Sequence, residues 1–133
     1  MKKLKFVTLL LAVLLPFLNS CTQKTPLQKL IHDADVVKVF IYSPSGNTIV
    51  HYETNDIEKI NQWTGFIDES SKVAGSCDYE GKLIFKAYED STIMIFSLKV
   101  GCRQVAYTIN DTSFVKSLTP QGISFLDGLK KIQ

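Results

Sequence analysis

Two histidines, three cysteines and a single arginine are the residues of this 133-residue chain from which chemistry could most readily be built. His51 and Glu53 lie two apart, so on a strand they point the same way, the minimum for a general base and the carboxylate that orients it. No nucleophile motif such as G-x-S-x-G adjoins them, and an ordinary surface pair is the simpler interpretation; a small hydrolase built on His51 stands as an alternative. His32 beside Asp33 and Asp35 reads as a solvated helix end rather than a metal site. Arg103, the lone arginine, has the geometry to grip a carboxylate with two prongs but is expected on a strand face. Cys77 and Cys102 have no histidine at a C-x-x-C or H-x-x-x-H spacing to complete a metal set. The pair reads first as a disulfide, with two buried thiols as the alternative. The seven glycines are scattered singly, so no phosphate-cradling loop is present and no cofactor is expected.

The third cysteine stands in a different setting. Lys2, Lys3 and Lys5 precede a nearly continuous apolar run from Phe6 to Leu18, and Cys21 follows at once, before the polar stretch Thr22–Lys24. As a helix that run would reach roughly 20 Å, short of the ~30 Å hydrocarbon core, so a secretory signal fits better than a stable span. Leu18-Asn19-Ser20-Cys21 resembles the lipobox of bacterial lipoproteins. The resemblance implies a signal peptide over 1–20, cleavage before Cys21, acylation of its thiol and new amino terminus, and a lipidated tether over 21–25. Several acyl chains, each gaining ~0.8 kcal/mol per buried CH2, hold a protein to a membrane far better than one. The absence of Asp after Cys21 is compatible, by the same resemblance, with the outer membrane, with the domain expected to face the periplasm.

Loss of the signal changes the electrostatics. The 15 basic residues fall to twelve against 13 acidic ones, and no basic run remains. Nucleic acid is therefore excluded as an expected partner, and the membrane is expected to be met through the acylated Cys21. The remaining length suits one domain, 26–133, with a single core.

The elements that must position these residues follow from pattern. Thr25-Pro26-Leu27-Gln28 offers an N-cap, a proline at the first helical position and a capping-box glutamine, predicting a helix over 26–34. Val36–Tyr42 and Thr48–Glu53 flank a turn-rich cluster and predict a hairpin. Asn55 and Asp56 are placed to cap a helix bearing Ile57, Ile60 and Trp63, ended by Gly65. Residues 68–76 read as a loop. Lys82–Tyr88 and Ser91–Leu98 predict a second hairpin turning at Glu89-Asp90, with Leu83 opposite Phe96 and Phe85 opposite Met94. That register carries Cys77 opposite Cys102, with Gly81 and Gly101 as candidate bulges. A fifth strand is expected over 103–109, closed by an Asn110-Asp111 turn. A last helix starts at Thr119-Pro120 and carries Ile123, Leu126, Leu129 and Ile132.

The order α-β-β-α-β-β-β-α predicts an α+β domain: an antiparallel sheet of about five strands with helices packed on one face. In the first hairpin, Val37, Val39, Ile41 and Ile49 are expected to face the helices. Lys38, Phe40, Tyr42, Val50 and Tyr52 are expected on the other face as an aromatic recognition patch. Lacking a convincing catalytic set, the chain is expected to be a lipid-anchored, non-catalytic module that binds an envelope protein, as inhibitor, immunity factor or assembly accessory. A small-ligand carrier is the further alternative to the hydrolase.

Overall fold

A computed structural model describes residues 22–73 and 75–132; Cys21 and the segment 1–20 expected to be a signal peptide lie outside the described residues. Helix α1 (Pro26–Asp33) begins with the expected capping box. The Gln28 amide donates to Thr25 Oγ1 at 3.2 Å and the Thr25 amide donates to Gln28 Oε1 at 3.1 Å, satisfying two otherwise orphaned donors. Strands β1 (Val36–Tyr42) and β2 (Thr48–Thr54) form the first hairpin. Helix α2 (Ile57–Asn61) is capped by Asp56, whose Oδ1 accepts from the Glu58 amide at 3.0 Å, and continues as a 3-10 turn over Gln62–Gly65. Ile60 and Trp63 are buried, whereas Ile57 is exposed.

After a two-residue strand β3 (Ile67–Asp68) come β4 (Gly81–Ala87), β5 (Asp90–Ser97), β6 (Gln104–Ile109) and β7 (Thr112–Leu118), then helix α3 (Pro120–Lys131). The fold is α+β, but the antiparallel sheet has seven strands, ordered β2-β1-β4-β5-β6-β7-β3, rather than about five. The extra strands have separate causes. Asn110 and Asp111 both adopt positive φ, 50° and 63°, the turn geometry that sends a chain straight back into a paired strand, and so β7 forms immediately. The short β3 exists only because Ile67 and Asp68 meet Leu118 and Ser117 at the free edge of β7.

The helices cover one face. Trp63 meets Phe85 of β4 edge-on with ring centroids 5.9 Å apart, and Phe125 of α3 meets Tyr52 of β2 at 5.6 Å. Beneath them lie Val37, Val39, Ile41, Leu83, Met94, Phe96 and Val105, all fully buried. Gly122 lets α3 settle on Phe66, since a Cβ there would come within 2.5 Å of the Phe66 carbonyl oxygen.

The β4–β5 register differs from expectation by two residues. Leu83 faces Met94, Phe85 faces Thr92, and the loop is Tyr88-Glu89. A two-residue shift keeps every side chain on its expected face, and it sets Gly81 opposite Phe96, where the missing side chain makes room for the ring. Gly81 is thus a ladder position and not a bulge. From β3 at one edge, residues 69–80 cross to β4 in the sheet interior, and the Cys77–Cys102 disulfide fastens that crossing to the β5–β6 connection.

Candidate functional site

The face turned away from the helices is the candidate site. Its first part comes from β1 and β2, and here the register corrects the expected patch. Val39 lies opposite Tyr52 and Ile41 opposite Val50, so Val50 and Tyr52 share the helix side with the odd residues of β1. Val50 is buried and Tyr52 packs on Phe125. Lys38, Phe40 and Tyr42 do lie on the open face, joined by His51 and Glu53. The expected assignment counted faces through the turn; a register irregularity between Ile41 and Tyr42 sets Tyr42 opposite Thr48 and leaves Ile49 as the extra residue.

The open face is organised around Phe40. Its ring stacks on His51 with centroids 4.6 Å apart and planes 7° from parallel, and Lys82 Nζ sits 5.1 Å from the Phe40 centroid and 5.8 Å from that of Tyr42. Both distances are within cation–π range. Lys38 Nζ approaches Glu53 Oε2 at 3.3 Å, while His51 Nε2 stands 3.8 Å from the same oxygen, too far for a hydrogen bond. Glu53 therefore serves Lys38 before His51, and the imidazole is held by stacking on Phe40.

Beyond Phe40 the face turns aliphatic. Ile84 lies beside Ile93, and Ile95 beside Ala106, itself beside Val115. Ile93 is 56% exposed and Ile95 40%. At strand positions the same face carries Lys38, Lys82 and Lys86 against Glu53 and Asp68, and Asp68 is already turned toward Ser70. The disulfide end of this face is covered: Ser97 and Gln104 are buried under the crossing segment, and Gln104 Nε2 donates to the Tyr79 hydroxyl at 3.2 Å. The hairpin end is bare and finishes at Tyr88, 94% exposed.

The helix side holds two adjoining hollows beside α1, of about 340 and 230 Å3, that share Pro26 and Ile109. The smaller is lined by Leu27, Phe114 and Tyr107, with Glu69 and Lys116 at its edge. Burial, reinforced by the Glu69 carboxylate, pushes the Tyr107 hydroxyl up to about 12. Arg103 lies at the end of the β6–β7 ladder, its carbonyl accepting from the Leu118 amide. His32 lies in the last turn of α1, and among the described residues no group of three or more His, Cys, Asp or Glu is arranged to hold a metal ion.

The isoleucine row and the Tyr88 tip escaped sequence reasoning. Alternation already sets Ile84, Ile93 and Ile95 on the face opposite Leu83, Phe85, Met94 and Phe96, but only the strand order and the placement of the helices show that this face is uncovered. Compared with protein-family models, curated proteins and solved structures, the chain matches none of them.

Proposed function

We propose that this chain is a bacterial envelope lipoprotein, acylated at Cys21, whose domain binds a partner protein through the open face of its sheet and catalyses no reaction. The observation that carries the proposal is the pairing of exposed aliphatics, Ile93 and Ile95, with the lysine-capped aromatics Phe40 and Tyr42. Contiguous apolar surface rimmed by charge is characteristic of protein interfaces, and aromatic anchors supply much of their energy. A second interpretation, a small-ligand carrier, is favoured by the two hollows beside α1, which together reach the size of ordinary ligand sites.

The test is affinity capture with the full chain, purified in detergent, against solubilised envelope at low and moderate salt. A stoichiometric protein is expected with the unmodified chain and none with Ile93→Lys/Ile95→Lys, whose exposed positions leave the thermal unfolding midpoint in place. A co-purifying small molecule with no protein would favour the carrier. Intact mass of the same material reads the anchor: a mass equal to unprocessed residues 1–133 would rule out acylation at Cys21.

A further inference from the structure

Part of the sheet's helix side is left open. Helix α1 lies beside the β6–β7 hairpin without closing on it, and a hollow of about 230 Å3 remains between them. Pro26 and Leu27 of α1 form one wall; Ile109 and the stacked rings of Tyr107 and Phe114, centroids 5.3 Å apart, form the other. The hollow is smaller than the ~300 Å3 at which drug-sized ligand sites begin, so it suits a molecule the size of one amino acid rather than a lipid or a peptide. The larger neighbouring hollow is not part of this site, since Lys29, Asp33 and Asp90 line it and make its surface mixed.

Three polar side chains border these apolar walls, and each has hydrogen-bonding capacity left over. Glu69 Oε1 accepts from the Thr25 hydroxyl at 2.6 Å, one of about four bonds a carboxylate can accept. Lys116 Nζ donates to the Ser71 carbonyl at 3.1 Å, one of the three bonds an ammonium can donate. The two charges make no ion pair with each other among the described residues. Tyr107 is buried, yet its hydroxyl has no hydrogen-bond partner among the described residues. After burial, the nearby Glu69 charge is the second cause that raises this hydroxyl to about 12. A hydrocarbon would answer none of the three groups. A simple amine would serve Glu69 and leave Lys116, and a fatty acid would serve Lys116 and meet the repulsion of Glu69. A peptide terminus carries one charge, whereas a free amino acid carries both.

We propose that this hollow binds a free α-amino acid with an apolar side chain of leucine or phenylalanine size. Its ammonium donates to the Glu69 carboxylate and the Tyr107 hydroxyl oxygen, and its carboxylate accepts from Lys116, bonds that charge makes stronger than neutral ones. Its side chain lies against Leu27, Ile109 and Phe114. The site is on the helix side of the sheet and separate from the open face; it gives the carrier interpretation a ligand class and rests on that interpretation alone.

The experiment titrates the full chain in detergent with L-leucine and L-phenylalanine, followed by calorimetry and by amide NMR shifts. Saturable binding is expected with a Kd below about 1 mM, with the largest shifts at Leu27, Ile109 and Phe114. N-acetyl-L-leucine lacks the ammonium and L-leucinamide lacks the carboxylate, so each should bind at least about tenfold more weakly, each tenfold being 1.4 kcal/mol. L-glutamate should be weakened as much, because its charged side chain would have to enter the apolar walls. Glu69→Gln keeps an acceptor for Thr25 and should weaken L-leucine about tenfold while leaving N-acetyl-L-leucine unchanged, the non-additivity of two groups in contact. Should that variant not fold, the analogue series on the unmodified chain decides alone. No saturation with either amino acid by about 10 mM would overturn the proposal. Analogues binding as tightly as L-leucine, or shifts centred on Ile93 and Ile95, would do the same. Failure here alongside retained envelope capture removes this site and leaves the open-face proposal in place; a different co-purifying small molecule keeps the carrier and removes the amino acid.

Discussion

Tyr88 adopts a backbone conformation that tyrosine avoids. Its φ is +54°, held by an amide that donates to Asp35 Oδ2 at 3.0 Å, while its ring is 94% exposed. A left-handed non-glycine residue costs roughly 1–2 kcal/mol, less for Asn, whose short side chain tolerates the conformation. The fold gains nothing visible from the ring, so Tyr88→Asn should raise stability by about 0.5–1 kcal/mol in urea unfolding. A loss of stability would mean that the ring packs in solution. If the tip belongs to the partner surface, the same variant should capture less partner despite being more stable. Tyr107 gives a pH prediction. Its hydroxyl is held neutral to about 12 by burial and then by Glu69, against an ordinary value of 10.0. Below pH 10 both folded and unfolded states keep the proton, so its contribution is fully present there. Between 10 and 12 only the unfolded chain releases it, and stability must fall as pH rises through that window. Tyr107→Phe should flatten this part of the stability profile. A phenolate absorbance titration of the folded protein should show this tyrosine ionising late, and earlier in Glu69→Gln; an unchanged titration would remove Glu69 as a cause.

Among the elements, the β4–β5 hairpin is the most sensitive to a single atom. A Cβ on Gly81 would collide with the Phe96 ring and come within 2.7 Å of the Phe40 carbonyl oxygen. The ring has no free space in the core, and the carbonyl belongs to the neighbouring strand, so neither yields cheaply. Gly81→Ala should cost about 2–3 kcal/mol, within the range for overpacked cores, read as a lower urea midpoint. A neutral result would show that β1 and β4 can slide apart at this end. The hairpin also shows what sequence can and cannot convey. Alternation in KLIFKAY and STIMIFSL identified both strands and their faces, because the side-chain period is a local property. It puts the register wrong by two residues, because Gly81 against Phe96 is decided by packing across strands. The first helix was legible down to its cap, since Thr25 and Gln28 act within one turn. β7 was missed because TSFVKSL carries few apolar residues and is held by the Asn110-Asp111 turn and by its neighbour β6. The binding face was half legible: Lys38, Phe40 and Tyr42 follow from one strand, whereas Val50 and Tyr52 depended on an irregularity that no composition reveals.

At the scale of the molecule, the crossing from β3 to β4 is the connection the fold can least do without. It carries the chain from one edge of the sheet into its interior and lies over Ser97 and Gln104, two polar residues the open face would otherwise expose. Among the contacts that hold it are the Ser71 hydroxyl, which accepts from the Ser117 amide at 2.8 Å, the Tyr79 hydroxyl on Gln104, the ion pair of Glu80 with Lys130 of α3 at 3.0 Å, and the Cys77–Cys102 bond. The ion pair is partly exposed, and pairs of that kind contribute little alone. The bond closes a loop of about 26 residues, which by chain entropy stabilises the folded state by roughly 3.5 kcal/mol. That is a large share of the stability of a domain this small. Cys77→Ser/Cys102→Ser should therefore lose about 3 kcal/mol in urea unfolding, with faster hydrogen exchange at the end of the sheet where Ser97 meets Gln104. The hairpin end, with its lysines, is fastened by α1 and the β-turns instead, so its exchange should change only as much as global stability does. If exchange quickens equally at both ends from local opening, the disulfide is tensioning the whole sheet and would couple the covered end to the binding face. An unchanged midpoint would mean that Tyr79 and Glu80 already fix the crossing without it.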